Sequence, residues 1–317
     1  MQVLFILFTL FVAVKGIEQS GLIAKLSGNI ESGKYIPLKL ILTTFFLSML
    51  ITNDVALIVI VPLTLTLSIR RLDILVILEA LAANAGSALT PFGNPQNFFI
   101  YWFYDVNPAQ FIVSIAPFSL LFLVLLILSS LAIQTESNRK KAATAGTVQK
   151  SIYIYPFFLI IVLLTVFRIF PVVAGSLVLI YALLLDRKAL RVDYALLFSF
   201  FFFFGLADNM RSILLSEISH AKHVFFFSAL ASQIMSNVPT ALLFAKFTTH
   251  WKALLWGTNA GGFGSLFGSL ANLIAYKLYV THEQTNNSAL FTAKFLIIGY
   301  MAFFIAIGLY FALPGFQ

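Results

Sequence analysis

Cysteine is absent from all 317 residues, which excludes disulfides, Cys-ligated zinc, iron–sulfur clusters and thiol catalysis. Histidine is scarce: the four imidazoles, at 220, 223, 250 and 282, are too few and too peripheral to suggest a metal site. Charge is scarce as well. Asp, Glu, Lys and Arg make up 10% of the chain, against about a quarter in soluble domains. No GxxxxGK[ST] occurs, so ATP hydrolysis by a P-loop is excluded. A paired catalytic Asp, a His-x-x-x-His and a Ser/His or Ser/Lys pairing at membrane depth are also missing, so enzymatic activity is not expected.

Apolar residues are abundant, at 60% with a mean hydropathy of +0.97. A chain of this length cannot bury that much apolar surface in its own core, so part of its solvent must be lipid. That rules out an ordinary soluble enzyme, a disordered chain, a coiled coil and a collagen. The net charge of +8 lies between apolar runs, where it acts as a topology determinant facing anionic lipid rather than as a nucleic-acid surface.

A bilayer core about 30 Å thick needs roughly 20 apolar residues per helix. The apolar runs predict helices over 1–14, 74–103, 108–133, 153–170, 171–186, 194–210, 251–280 and 290–314. Two further stretches, 37–69 and 223–248, have polar centres and read as re-entrant helical hairpins. With that topology fifteen basic residues fall on one side and five on the other, so the first side is cytoplasmic. Treating either hairpin as a plain span would mix the two sets. The first run lacks the basic start and small-residue cleavage site of a signal peptide and reads as a helix.

The chain contains an internal repeat. Residues 84–97 (NAGSALTPFGNPQN) align without gaps on 259–272 (NAGGFGSLFGSLAN), with six identities. Upstream, Thr52-Asn53-Asp54 sits in its hairpin where Ser236-Asn237-Val238 sits in the other. Each half reads hairpin, interrupted helix, final helix, and the charge pattern gives the two hairpins opposite mouths. The expected fold is therefore an all-α polytopic membrane protein with two inverted-topology repeats, each with a re-entrant helical hairpin and a broken transmembrane helix. Residues 1–133 form the first repeat, 134–152 a cytoplasmic linker carrying Arg139–Lys141, and 153–317 the second repeat. Helices 153–170 and 171–186 have no counterpart before residue 1, so the first repeat is expected to lack two N-terminal helices. Inverted repeats with broken helices and a midplane site characterise secondary transporters.

The interruptions carry the chemistry. Gly86, Pro91, Gly93 and Pro95 weaken or break their helix, and an interior proline costs about 3 kcal/mol. Irregular backbone at this depth is tolerated only where it is buried in protein or lines a cavity. Freed carbonyls can coordinate a cation, and half-helix N-termini can receive an anion. The competing reading is helix packing, because Gly257–Gly261 and Gly264–Gly268 fit the small-xxx-small pattern. At the tips the competing reading is two turns in which Thr52, Asn53 and Asp54, and Ser236, Asn237 and Thr240, cap the second helices.

Asp54 is the sharpest single residue: a midplane carboxylate costs at least about 2.5–3.5 kcal/mol unless paired, hydrated or protonated. It is a candidate proton carrier or sodium ligand, and hard Thr, Asn and Asp oxygens suit an alkali cation. Glu79 either snorkels toward the cytoplasmic end or faces the interior. Asp208-Asn209, beside Arg211, reads as a solvated helix end. No Lys or Arg falls inside either interruption, which makes a co-bound cation more plausible for an anionic substrate.

These residues resemble the ion transporter superfamily, which holds the arsenite-pump and NhaD-type permeases, the citrate transporter-like proteins and the divalent anion/sodium symporters. The resemblance rests on four motifs in order: the Asn53-Asp54 tip with Pro62, Gly93-Asn94-Pro95-Gln96-Asn97, Ser236-Asn237-Val238-Pro239-Thr240, and the glycine-rich 261–272. It implies an elevator-type transport domain and a homodimer formed through scaffold helices. By position it implies one cation site from Thr52, Asn53, Asp54, Gly86, Gly93 and Asn94, and a second from Ser236, Asn237, Gly261 and Ser265. Substrate would contact Asn53, Pro95, Asn97, Asn237, Pro239, Thr240, Ser269 and Asn272. The expected function is secondary active transport of a small anion, such as a carboxylate or inorganic oxyanion, across the cytoplasmic membrane. No cofactor is expected beyond Na+ as a candidate coupling ion, with H+ as the other. The alternatives are a Na+/H+ antiporter and an anion channel. The expected partners are the small anion and the lipid bilayer, with no nucleic acid.

Overall fold

The computed structural model describes residues 2–22, 35–67, 69–133, 153–195, 197–198, 201–202, 220–282 and 287–313. The linker 134–152, Asp208-Asn209, Arg211 and most of the helix expected over 194–210 lie outside the described residues. The fold is all-helical. Among the described residues, three helices are long and apolar enough to cross a membrane: α1 (Gln2–Gln19), α6 (Pro108–Leu131) and α13 (Ser288–Ala312). The others are shorter: α2 (Ile36–Ile51), α3 (Asn53–Leu65), α4 (Leu72–Ala88), α5 (Pro95–Phe103), α7 (Ile154–Val166), α8 (Ser176–Leu185), α9 (Ala221–Met235), α10 (Asn237–Ala245), α11 (Trp251–Gly261) and α12 (Leu270–Val280).

Helix boundaries follow local chemistry. Asn94 Oδ1 accepts the Asn97 N–H at 2.9 Å and starts α5, with Pro95 in its first turn. Asn107 accepts the Ala109 N–H at 2.9 Å and starts α6 before Pro108. Ser269 caps α12 through the Ala271 N–H at 3.2 Å. These are favoured N-cap and first-turn residues. The spans expected over 74–103 and 251–280 are each broken, into α4 and α5 and into α11 and α12.

The chain divides into two compact units. The first holds residues 1–32 and 141–202. There α1 packs on α7 and α8, the Gly16 backbone lies against the Tyr155 ring, and Tyr155 Oη donates to Asp186 Oδ2 at 2.8 Å. The second unit holds residues 33–140 and 203–317 and carries both tips and both broken helices.

Packing in the second unit is reciprocal. Helix α2 lies on α4 as α9 lies on α11, α3 packs on α12 as α10 packs on α5, and α4 touches α13 as α11 touches α6. Glycine makes the first pairing possible. A Cβ on Gly86 would strike the Phe45 carbonyl, and one on Gly261 would lie 2.8 Å from the Ala229 carbonyl oxygen. Leu57, Val61, Val76, Ala80, Ala83, Ala271, Ala275, Phe291 and Phe295 form a buried core between α3, α4, α12 and α13.

The outer surfaces stay apolar at helical spacing. Val113, Leu120, Val124 and Leu128 are exposed on α6, and Ile297, Met301, Phe304 and Ile305 on α13. Water would not tolerate stripes of that length, whereas lipid does.

Candidate functional site

Each hairpin pivots on one strained residue. Thr52 has φ 103° and ψ 149°, and Ser236 has φ 72° and ψ 156°. That region belongs almost entirely to glycine and costs a β-carbon residue about 1–3 kcal/mol. Neither side chain caps the helix that follows, so the capping expected at the tips does not come from Thr52 or Ser236. The conformation instead aims the next backbone N–H out of the helix. Asn53 N–H donates to the Gly93 carbonyl at 3.1 Å, and Asn237 N–H to the Gly268 carbonyl at 3.0 Å. Gly93 and Gly268 are equivalent positions in the repeat alignment. Each tip is thus pinned to its own unwound segment.

The unwound segments are held by amides. Asn97 Nδ2 donates to the carbonyls of Ala88 at 2.9 Å and of Ser87 and Thr90 at 3.3 Å. Its counterpart Asn272 Nδ2 donates to those of Gly262 at 2.9 Å and Ser265 at 3.0 Å. Thr90 Oγ1 bonds the Met49 carbonyl at 2.9 Å as Ser265 Oγ bonds that of Gln233 at 2.8 Å. Buried backbone groups must find partners, and here Asn97 and Asn272 supply much of what the missing helical turns would have given.

The same amides join the halves. Asn84 Nδ2 donates to Asn272 Oδ1 at 2.9 Å, and Asn259 Nδ2 donates to Asn97 Oδ1 at 2.8 Å. Longer bonds extend the chain at both ends: Asn53 Nδ2 to Asn84 Oδ1 at 3.3 Å, and Asn94 Nδ2 to Asn259 Oδ1 at 3.4 Å. A Cβ on Gly262 would lie 3.2 Å from Asn237 Nδ2 and 3.6 Å from Asn84 Oδ1, so the second tip reaches the same cluster. Asn53 and Asn237 are each 3% exposed, and Asn272 is 1%.

The structure therefore brings together most of the residues singled out from the sequence. Thr52, Asn53, Gly93 and Asn94 meet at the first segment; Asn237, Gly261, Ser265, Ser269 and Asn272 meet at the second. Gly86 lies at the α2–α4 contact, where its lack of a side chain lets the helices touch. Asp54 occupies the first turn of α3, half-buried, with its N–H on Asn53 Oδ1 at 3.0 Å. Thr240 Oγ1 returns to the Ser236 carbonyl at 2.8 Å. Pro95 is buried at the start of α5, and Pro239 sits half-buried in the first turn of α10.

Glu79 faces the interior: it is 0% exposed, and Thr64 Oγ1 donates to its Oε1. Asn84, Asn259 and Gln233 are the residues sequence reasoning passed over. The first two stood in the repeat alignment at matched places, which was a usable signal. Gln233 carried none, because its equivalent in the first half is Met49.

The site is a buried, amide-rich cluster beside two strained tips, with the Asp54 carboxyl half-buried at the first. The citrate transporter family matches residues 1–256. The uncharacterized transporter MJ0456 of Methanocaldococcus jannaschii is 35% identical over 314 residues, covering 94% of this chain and 84% of its own length. The inner membrane protein YbiR of Escherichia coli is 34% identical over 288 residues, covering 85% and 77%. A family match across most of the chain, carried on a lipid-facing helical fold with paired tips and unwound segments, makes this chain a member of the citrate transporter family within the ion transporter superfamily, and a membrane transporter.

Proposed function

We propose that the protein is a secondary active carrier of a small anion, a carboxylate or an inorganic oxyanion, coupled to Na+ or H+, in the cytoplasmic membrane. The supporting observation is the crossed amide network. It gathers two hairpin tips and two unwound segments, one of each from either half, around one buried cluster. The two halves act as inverted repeats, which places matched tips on opposite sides of a common midplane site. The helices α2, α3, α9 and α10 have 16, 13, 15 and 9 residues. Each is shorter than the roughly 20 residues needed to cross a bilayer, as re-entrant segments are. The unit that carries the site moves as an elevator, and the first unit serves as the scaffold through which two copies dimerise.

Substrate binds between the tips, on Asn53, Asn97, Asn237, Thr240 and Asn272, with Pro95, Pro239 and Ser269 shaping the cavity. Thr52, Asn53, Asp54, Gly86, Gly93 and Asn94 supply the first cation position, and Ser236, Asn237, Gly261 and Ser265 surround the corresponding place in the second half. With no Lys or Arg in the pocket, the cation offsets the charge of the anion. A thermal-shift panel of carboxylates and oxyanions, with sodium and with choline, tests this reading. A ligand of the folded state raises Tm by mass action, by about 2.7 kcal/mol of stability at a hundredfold excess over Kd. Stabilisation by a small anion that grows with sodium, or with falling pH, supports the carrier. Stabilisation by sodium alone, with sodium–proton exchange in vesicles and no anion effect, would favour the antiporter.

A further inference from the structure

Much of the bonding in the two halves corresponds, but the halves differ three places before each tip. There the first half has Met49 and the second has Gln233. The Gln233 carboxamide reaches into the second unwound segment. Its Nε2 donates to the carbonyls of Gly261 at 2.8 Å and Phe263 at 3.0 Å, and its Oε1 accepts the Ser265 N–H at 2.7 Å.

The backbone is built to receive it. Gly264 adopts φ +83°, and a Cβ there would strike Gln233 Oε1. The Gly264 N–H leaves its own turn for the Gly299 carbonyl at 3.0 Å. The equivalent residue, Leu89, stays right-handed with φ −71° and bonds the Gly86 carbonyl at 3.1 Å. The Gly86 carbonyl is thus satisfied inside its own turn. The Gly261 carbonyl is released by both residues that could have bonded it, Gly264 and Ser265, and converges with that of Phe263 on one point.

Two carbonyl oxygens converging beside a hairpin tip are ligands for a dehydrated alkali cation. A carboxamide NH2 offers two donors to the same oxygens without being exchangeable. We propose that the Gln233 carboxamide stands in for a coupling cation at the second tip, so that a single cation binds, at the first. The inference rests on the cation-coupled reading above.

The test is thermal unfolding of the full chain in detergent, titrated with sodium against choline at constant ionic strength. Wild type is expected to show a sodium cooperativity of about one. Gln233→Ala frees both carbonyls, and Gln233→Glu exchanges the donor for an anionic oxygen ligand. Both should gain a second sodium-dependent stabilisation, with cooperativity above one and a Tm response increased about twofold. The same gain in a background where wild type ignores sodium supports the stand-in role and removes the cation from the first tip, so the two readings fail separately. Folded variants with a wild-type sodium response overturn the proposal, as does a wild-type cooperativity of about two. If neither variant folds, the wild-type titration decides alone, and any cooperativity other than about one overturns it.

Discussion

Asn84 donates to Asn272 at 2.9 Å, while Asn259, the repeat mate of Asn84, donates to Asn97, the repeat mate of Asn272, at 2.8 Å. Each half thus closes its amide network on the other. Neither half alone can satisfy its own asparagines, so the site exists only where the halves interlock. Replacing Asn84 by Leu strands Asn272 Oδ1 and removes the donor to the Ala80 carbonyl, which lies at 3.1 Å. The expected loss is about 1–3 kcal/mol of stability, read as a fall in detergent Tm. A double-mutant cycle with Asn272→Leu should give a coupling of about 0.6–1.7 kcal/mol, the range of buried bonds between membrane helices.

The glycines of the α2–α4 contact predict a graded series. Gly86→Ala drives a methyl group into the Phe45 carbonyl and should lower expression and Tm sharply. A Cβ added to Gly308, on α13, would meet nothing within 4 Å among the described residues. Gly308→Ala should therefore gain up to about 1 kcal/mol from helix propensity. Equal effects at the two positions would contradict close helix packing as the role of Gly86.

Strain at the tips makes an unusual prediction. Thr52→Gly and Ser236→Gly each relieve a positive-φ residue and should raise Tm, by up to about 1–3 kcal/mol of stability. Uptake should fall in the same variants, because the hydroxyl and the fixed tip are lost together. A stabilised and fully active Thr52→Gly would show that the strain has no functional role.

Among the described residues, Glu79 is held by one neutral donor, Thr64, and its Oε2 has no hydrogen-bond partner. Thr64→Val should cost about 1–3 kcal/mol by stranding the second oxygen as well. In a Glu79→Leu background, where no oxygen remains to strand, the same change should cost much less. A comparable cost in both backgrounds, by chemical denaturation, would show that the Thr64 hydroxyl matters elsewhere.

Much of this organisation is legible in the sequence, for identifiable reasons. Gly86, Pro91, Gly93 and Pro95 advertise the break between α4 and α5 because no continuous helix accepts all four. The repeat is visible because the same backbone problem is solved twice with the same Asn and Gly residues. The crossing of Asn84 to Asn272 is not legible, since an alignment states which residues are equivalent and not which exchange partners. Gln233 is hidden for a related reason: its partners lie 28–32 residues away and are backbone atoms, which carry no sequence signal. The tips read as N-caps, yet Thr52 and Ser236 take glycine-like dihedrals, because pinning Asn53 and Asn237 to the unwound segments outweighs local capping. The first unit reads from sequence as helix after helix, but grouping residues 1–32 with 141–202 depends on tertiary packing of α1 on α7 and α8.

Uptake of a radiolabelled small anion, citrate first and then inorganic oxyanions, into proteoliposomes with an imposed sodium or proton gradient tests the transport reading most directly. Gradient-driven accumulation, abolished by Asp54→Asn and by Asn237→Ala, is the predicted result. Anion flux that only dissipates its own gradient, at a rate indifferent to both ions and to both substitutions, would contradict it.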